Sequence, residues 1–184
     1  MGSVRKAGRY MFQRVREEAD EKLAEIGLQF NYRLRKTKSE SWSTRNAKMV
    51  YLNPEDRKSS LMADESELHV LLHECGHIFV AKHKSIKNDP IVLGLFGDMR
   101  KPYRRDLSRK EDNPDFISHY AQVHPEDNFA EVFGIYAKNG GNLKAIRTLL
   151  RKKRKSRKVL RQFLWLHRFL NGKRWTAYGK NPRF

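Results

Sequence analysis

The chain has 184 residues, with 39 Lys or Arg against 21 Asp or Glu, a formal charge of +18. That length holds one domain, or one domain and a tail, and ten Phe, seven Tyr and three Trp exclude global disorder. One cysteine excludes an intrachain disulfide and a cysteine-built zinc ribbon. With no apolar run of the roughly 20 residues a membrane helix needs, and no apolar core of a secretory signal, a cytoplasmic protein is expected.

In chain order, residues 4–26 are predicted as a helix, because Val15, Ala19, Leu23 and Ile26 recur at spacings of four, four and three before Gly27. Residues 29–36 read as a half-buried strand, in which Phe30, Tyr32 and Leu34 alternate with Asn31, Arg33 and Arg35. A polar loop is expected from Lys38 to Asn46, then a second strand over 47–53, closed by Asn53-Pro54. Asp64, with Glu67 three residues on, predicts a helix start, and that helix runs to about Lys82. Residues 84–115 are expected to be loops around a short element near 91–96. A helix over 125–138 ends at Asn139-Gly140-Gly141, and one or two basic helices follow, at about 142–155 and 157–170. This order describes a small α+β domain, mostly helical with a short sheet.

The helix after Asp64 carries His73-Glu74-Cys75-Gly76-His77. Two histidines four apart share one helical face, so both imidazoles reach a single Zn²⁺, and Glu74 beside them is placed to take a proton from water as general base. Leu68, Leu71, Leu72, Cys75, Ile78 and Phe79 form an apolar stripe that buries the helix while the histidines point elsewhere; Cys75 reads as a core residue. A catalytic zinc needs a third protein ligand. His83 stands at the spacing of the metzincin pattern, but Val80 occupies the place of the glycine that would turn the chain, so the helix continues and His83 points away. The alternatives lie on the helix opened by Pro125. There Glu126, Asp127 and Glu131 are acids, and Asp127 and Glu131 share a face opposite Phe129, Val132 and Phe133.

Tyr120, an acid seven residues later and then Phe129-Ala130-Glu131-Val132-Phe133 resemble the third-ligand helix of gluzincin metallopeptidases. The nearest likenesses are lethal factor-type toxin peptidases and small bacterial zinc-binding metallopeptidases, over about 47–137. The resemblance implies a zincin-like domain and a zinc-dependent endopeptidase acting on protein or peptide. It makes His73 and His77 metal ligands, Glu74 the general base, Tyr120 the oxyanion-steadying tyrosine and Glu131 the second acid that orients the site. The ligand acid falls on Asp127, where those families usually carry Glu; one methylene less leaves Glu126 or Glu131 as alternative ligands.

The charge is uneven. Residues 1–131 hold 23 basic and all 21 acidic residues, whereas 132–184 hold 16 basic and no acidic residue. A peptidase core over 1–141 and a basic helical extension over 142–184, packed on or beside it, are therefore expected. Arg151, Lys152, Lys153, Arg154, Lys155, Arg157 and Lys158 form an electrostatic footprint for DNA or RNA, with Trp165, His167, Trp175 and Tyr178 as candidate stacking partners. The competing reading packs Val159, Leu160, Phe163, Leu164 and Leu170 on the core. The second function class is accordingly a nucleic-acid-binding protein with a structural or vestigial zinc site; Glu74 argues against it, because a structural site has no use for a base.

Overall fold

The computed structural model describes residues 2–39, 41–44, 48–53, 66–103 and 111–172. Helix α1 (Gly2–Glu25) ends where Gly27 takes φ +75°, and Leu28 N–H donates back to Leu23 O, which closes the last turn. Its buried Ala19 and Leu23 belong to the stripe read from the sequence.

Three short strands follow: β1 (Arg33–Lys36), β2 (Trp42–Ser43) and β3 (Met49–Leu52). The sheet order is β1-β3-β2, with β1 parallel and β2 antiparallel to β3. Two differences from expectation appear. The predicted strand over 29–36 pairs only from Arg33 onward, although Phe30 and Tyr32 keep the buried side of the alternation. The predicted loop contains β2, whose two residues are too few to write a period; Trp42 is held there by stacking on Tyr51 at 4.2 Å.

Helix α2 (Glu67–Lys82) is capped by the Ser66 hydroxyl, which accepts from His69 N–H; the predicted cap Asp64 lies outside the described residues. After a 3-10 segment (84–88), Asp89 caps the short helix α3 (Pro90–Phe96), the short element expected near 91–96. Helix α4 (Pro125–Lys138) begins at His124, which serves as cap through Nδ1 while its Nε2–H donates to Lys101 O. It ends in Gly140 and Gly141, both at positive φ. Helices α5 (Leu143–Lys152) and α6 (Arg157–Leu170) complete the chain order.

The centre of the fold is the antiparallel pair α2 and α4. Lys138 Nζ at the end of α4 donates to Ser66 Oγ at the start of α2. At mid-length a Cβ on Gly76 would sit 2.8 Å from Ala130 Cα, so only glycine permits this approach of the two backbones. In place of the one-sided stripe predicted for α2, burial runs almost all round it, because α1, α4 and the sheet all pack against it. Phe79, Phe129, Phe133, Phe163 and Leu166 join one hydrophobic cluster to which α5 and α6 also contribute.

Candidate metal centre

His73 and His77, one turn apart on α2, bring their Nε2 atoms to 3.2 Å from each other. Asp127, in the first turn of α4, places Oδ1 3.4 Å from His77 Nε2 and 3.8 Å from His73 Nε2. Zinc–ligand bonds of about 2.0–2.2 Å in a tetrahedron imply ligand–ligand separations of about 3.4 Å. Two imidazoles and a carboxylate at these separations are a donor set that zinc accepts, and His73, His77 and Asp127 form a group able to hold a metal ion. The other Asp127 oxygen, Oδ2, and Glu74 Oε2 are buried without a hydrogen-bond partner among the described residues. Uncompensated carboxylate oxygens in a core are costly unless a cation or its ligands meet them.

The groups around this cluster are paired in turn. Glu131 Oε1 accepts from His73 Nδ1–H at 2.9 Å, which leaves the His73 Nε2 lone pair facing His77 and Asp127. The same oxygen accepts from His69 Nε2–H, also at 2.9 Å. Burial works to raise the Glu131 carboxyl, but the two histidines override it and hold the group well below the usual carboxylate range. Glu126 is the acid that stays outside the cluster: Lys87 Nζ donates to it at 2.8 Å, and its other oxygen lies 3.5 Å from His77 Nδ1. Burial opposes its ionisation, yet these partners keep it down at about 2. Glu74, next to His73, is pushed above its ordinary value by burial, with the Ser43 hydroxyl and the two histidines pulling the other way. Burial also raises Tyr120, so its hydroxyl is protonated at any physiological pH. The Tyr120 ring stands edge-on to His73 at 5.4 Å. Beside it lies the Tyr103 hydroxyl, close to both Tyr120 and Asp127.

Residues 66–171 match the model of a family described as "Putative zinc-binding metallo-peptidase", more than half of the chain. The chain belongs to that family. Membership makes zinc the metal and a protein or peptide the substrate class of this zinc-binding metallo-peptidase. No curated protein and no solved structure matches the chain.

Of the residues singled out in the sequence, the fold gathers His73, Glu74, His77, Tyr120, Asp127 and Glu131 around one point. His83 stands apart as the C-cap of α2, its ring between Phe79 and Phe169. Sequence reasoning passed over His69, Ser43 and Tyr103. His69 had a signal, since it precedes His73 by the same four residues that separate His73 from His77; Ser43 and Tyr103 had none, because the chain brings them in from a two-residue strand and a loop.

On the basic side, Arg151, Lys152, Arg154 and Arg157 are exposed. Lys155 is turned inward onto Asp112, with 4% of its side chain exposed, and the Lys158 ammonium lies over the Phe116 ring. Trp165, expected as a stacking partner for bases, is instead a core residue against Phe96 and Phe129, and His167 accepts a hydrogen bond at Nδ1 from the Tyr136 hydroxyl. The helical period explains the correction: Trp165 lies three residues after the buried Gln162 and four before Phe169, on which it stacks, so it stands at the edge of the buried face of α6. Trp175 and Tyr178 lie outside the described residues. Among the described residues no helix is long and apolar enough to cross a membrane.

Proposed function

We propose that the chain is a zinc-dependent endopeptidase in which His73, His77 and Asp127 hold the ion and Glu74 is the general base. The observation that carries this reading is a buried Glu74 oxygen, without a hydrogen-bond partner among the described residues, beside three potential ligand atoms at tetrahedral spacing. Zinc bound there would polarise the scissile carbonyl and acidify water. Glu74 Oε2 accepts the proton of the attacking water and returns it to the leaving amine. The Ser43 hydroxyl beside Glu74 steadies the carboxylate between these transfers. Tyr120, kept protonated, donates to the oxyanion as the carbonyl becomes tetrahedral. Glu131 fixes the ring of His73 from behind.

Glu74→Gln keeps the shape of the side chain and loses the base. Cleavage of a proteome-derived peptide library should fall by about 10²–10⁴-fold, with zinc still bound. A Gln variant as fast as wild type refutes the assignment.

A second reading concerns the outer faces of α5 and α6. Their apolar residues, Ile146, Leu150, Val159, Leu160 and Phe163, face the core, so the solvent side is cationic with no acid anywhere beyond residue 131. This favours salt-sensitive, sequence-independent contact with DNA or RNA phosphates. With Lys155 turned onto Asp112 and Lys158 over Phe116, contact through the exposed Arg151, Lys152, Arg154 and Arg157 would make log K fall against log salt with a slope of about −4. A flat salt dependence on a mixed-sequence oligonucleotide removes the reading without touching the first.

A further inference from the structure

His69 is wholly buried in α2, where its neighbours Leu68, Val70, Leu71 and Leu72 are apolar. One of its nitrogens, Nδ1, has no partner among the described residues. A buried imidazole with an unsatisfied nitrogen is a costly choice in a helical core that a leucine would fill. The fold nevertheless makes room for it. Gly134 on α4 lies against the ring, and a Cβ there would come within 2.9 Å of His69 Cε1 and 3.1 Å of Nδ1. Among the described residues the one polar contact shown for the ring is Nε2–H to Glu131 Oε1, the oxygen that also accepts from His73 Nδ1–H.

We propose that His69 is a positioning residue of the metal centre: it fixes the Glu131 carboxylate, and through it the ring angle of His73. Glu131 hangs from α4 by two methylenes. The carboxylate can rotate about its terminal bond, and losing the His69 donor would let the oxygen that holds His73 shift, at the expense of ring orientation. Two donors arriving at one oxygen from α2, one turn apart, hold that oxygen in place. His69 therefore acts on the metal through two intervening groups and touches neither substrate nor ion. The inference rests on the zinc reading of the site for its function, though the hydrogen-bond relay itself does not.

The test uses the full chain with His69→Leu, which removes the donor, and His69→Gln, whose amide Nε2–H comes nearest to replacing it. Zinc affinity is read by competition with a chromogenic chelator, and the imidazole N–H protons of the metal-free protein by proton NMR. Leu should weaken zinc by about 10–100-fold and shift or broaden the His73 N–H signal; Gln should recover most of both. Should the Leu variant fail to fold, His69→Asn, whose amide falls short of Glu131, replaces it in both arms. Unchanged zinc affinity in the donor-less variant overturns the proposal, as does a Gln variant no better than it at matched stability. If wild type takes up no zinc, the metal reading falls, and the NMR arm still decides this one: a His73 N–H signal indifferent to the donor at position 69 overturns it.

Discussion

The α2–α4 face and the α5–α6 hairpin place their polar groups in opposite ways. Between α2 and α4, His69, His73, Glu74, Asp127 and Glu131 are buried. Along α5 and α6 most of the charge faces water and the buried side is largely hydrocarbon, although Gln162, whose amide donates to Leu95 O, and the Nε of Arg147 are buried and Lys158 lies over Phe116. An inward polar group loses hydration and needs a partner of its own, so each of those side chains is worth something only in company. An outward charge needs none, and is worth little to the fold.

The comparison is sharpest where the hairpin turns inward. Trp165→Ala should cost about 3–5 kcal/mol, read as a lowered urea midpoint, while Arg151→Ala stays within about 0.5 kcal/mol of wild type. Equal, small effects would mean that α6 is not held by its apolar face. On the other side, Tyr120→Phe should reduce kcat by roughly 10²–10³-fold as an oxyanion donor is lost, with zinc affinity unmoved; a simultaneous loss of zinc would recast Tyr120 as a support of the ligands. Zinc competition should then rank three substitutions. Asp127→Ala should lose more than the roughly 10–100-fold expected for Glu131→Ala, and His83→Ala should lose almost nothing. Strong loss at His83 with none at Asp127 would move the third ligand off α4. The smallest effect belongs to the surface: Arg151→Ala should lower the salt slope of oligonucleotide binding by about 1, and an unchanged slope takes Arg151 out of the footprint.

The same contrast explains what could be read in advance. The two basic helices were legible from local signals, their spans and the apolar residues Val159, Leu160, Phe163, Leu164 and Leu170, although α5 ends at Lys152, short of the expected 155. The histidine pair and Glu74 were legible because one helix turn sets their geometry. Asp127 and Glu131 stood out as acids on the wrong face of an apolar helix. What local pattern could not convey is which groups meet across elements: that His69 and His73 share one oxygen of a residue some sixty positions away, or that a serine of β2 reaches Glu74. Trp165 has basic neighbours in sequence, but its neighbours in space are Phe96 and Phe129.

The contact of Gly76 with Ala130 has a consequence for how the ion enters and leaves. Backbone meets backbone beside His77 and Glu131, and the hydrocarbon around that crossing is buried irrespective of what the histidines hold. The chelate is thus assembled by folding, unlike a zinc finger, where the ion does the assembling. An ion held by His73, His77 and Asp127 would be an exchangeable part seated in a finished socket. Stripping it with a chelator should leave the helical circular dichroism and the urea transition largely in place, and adding it back should restore the centre without a refolding step.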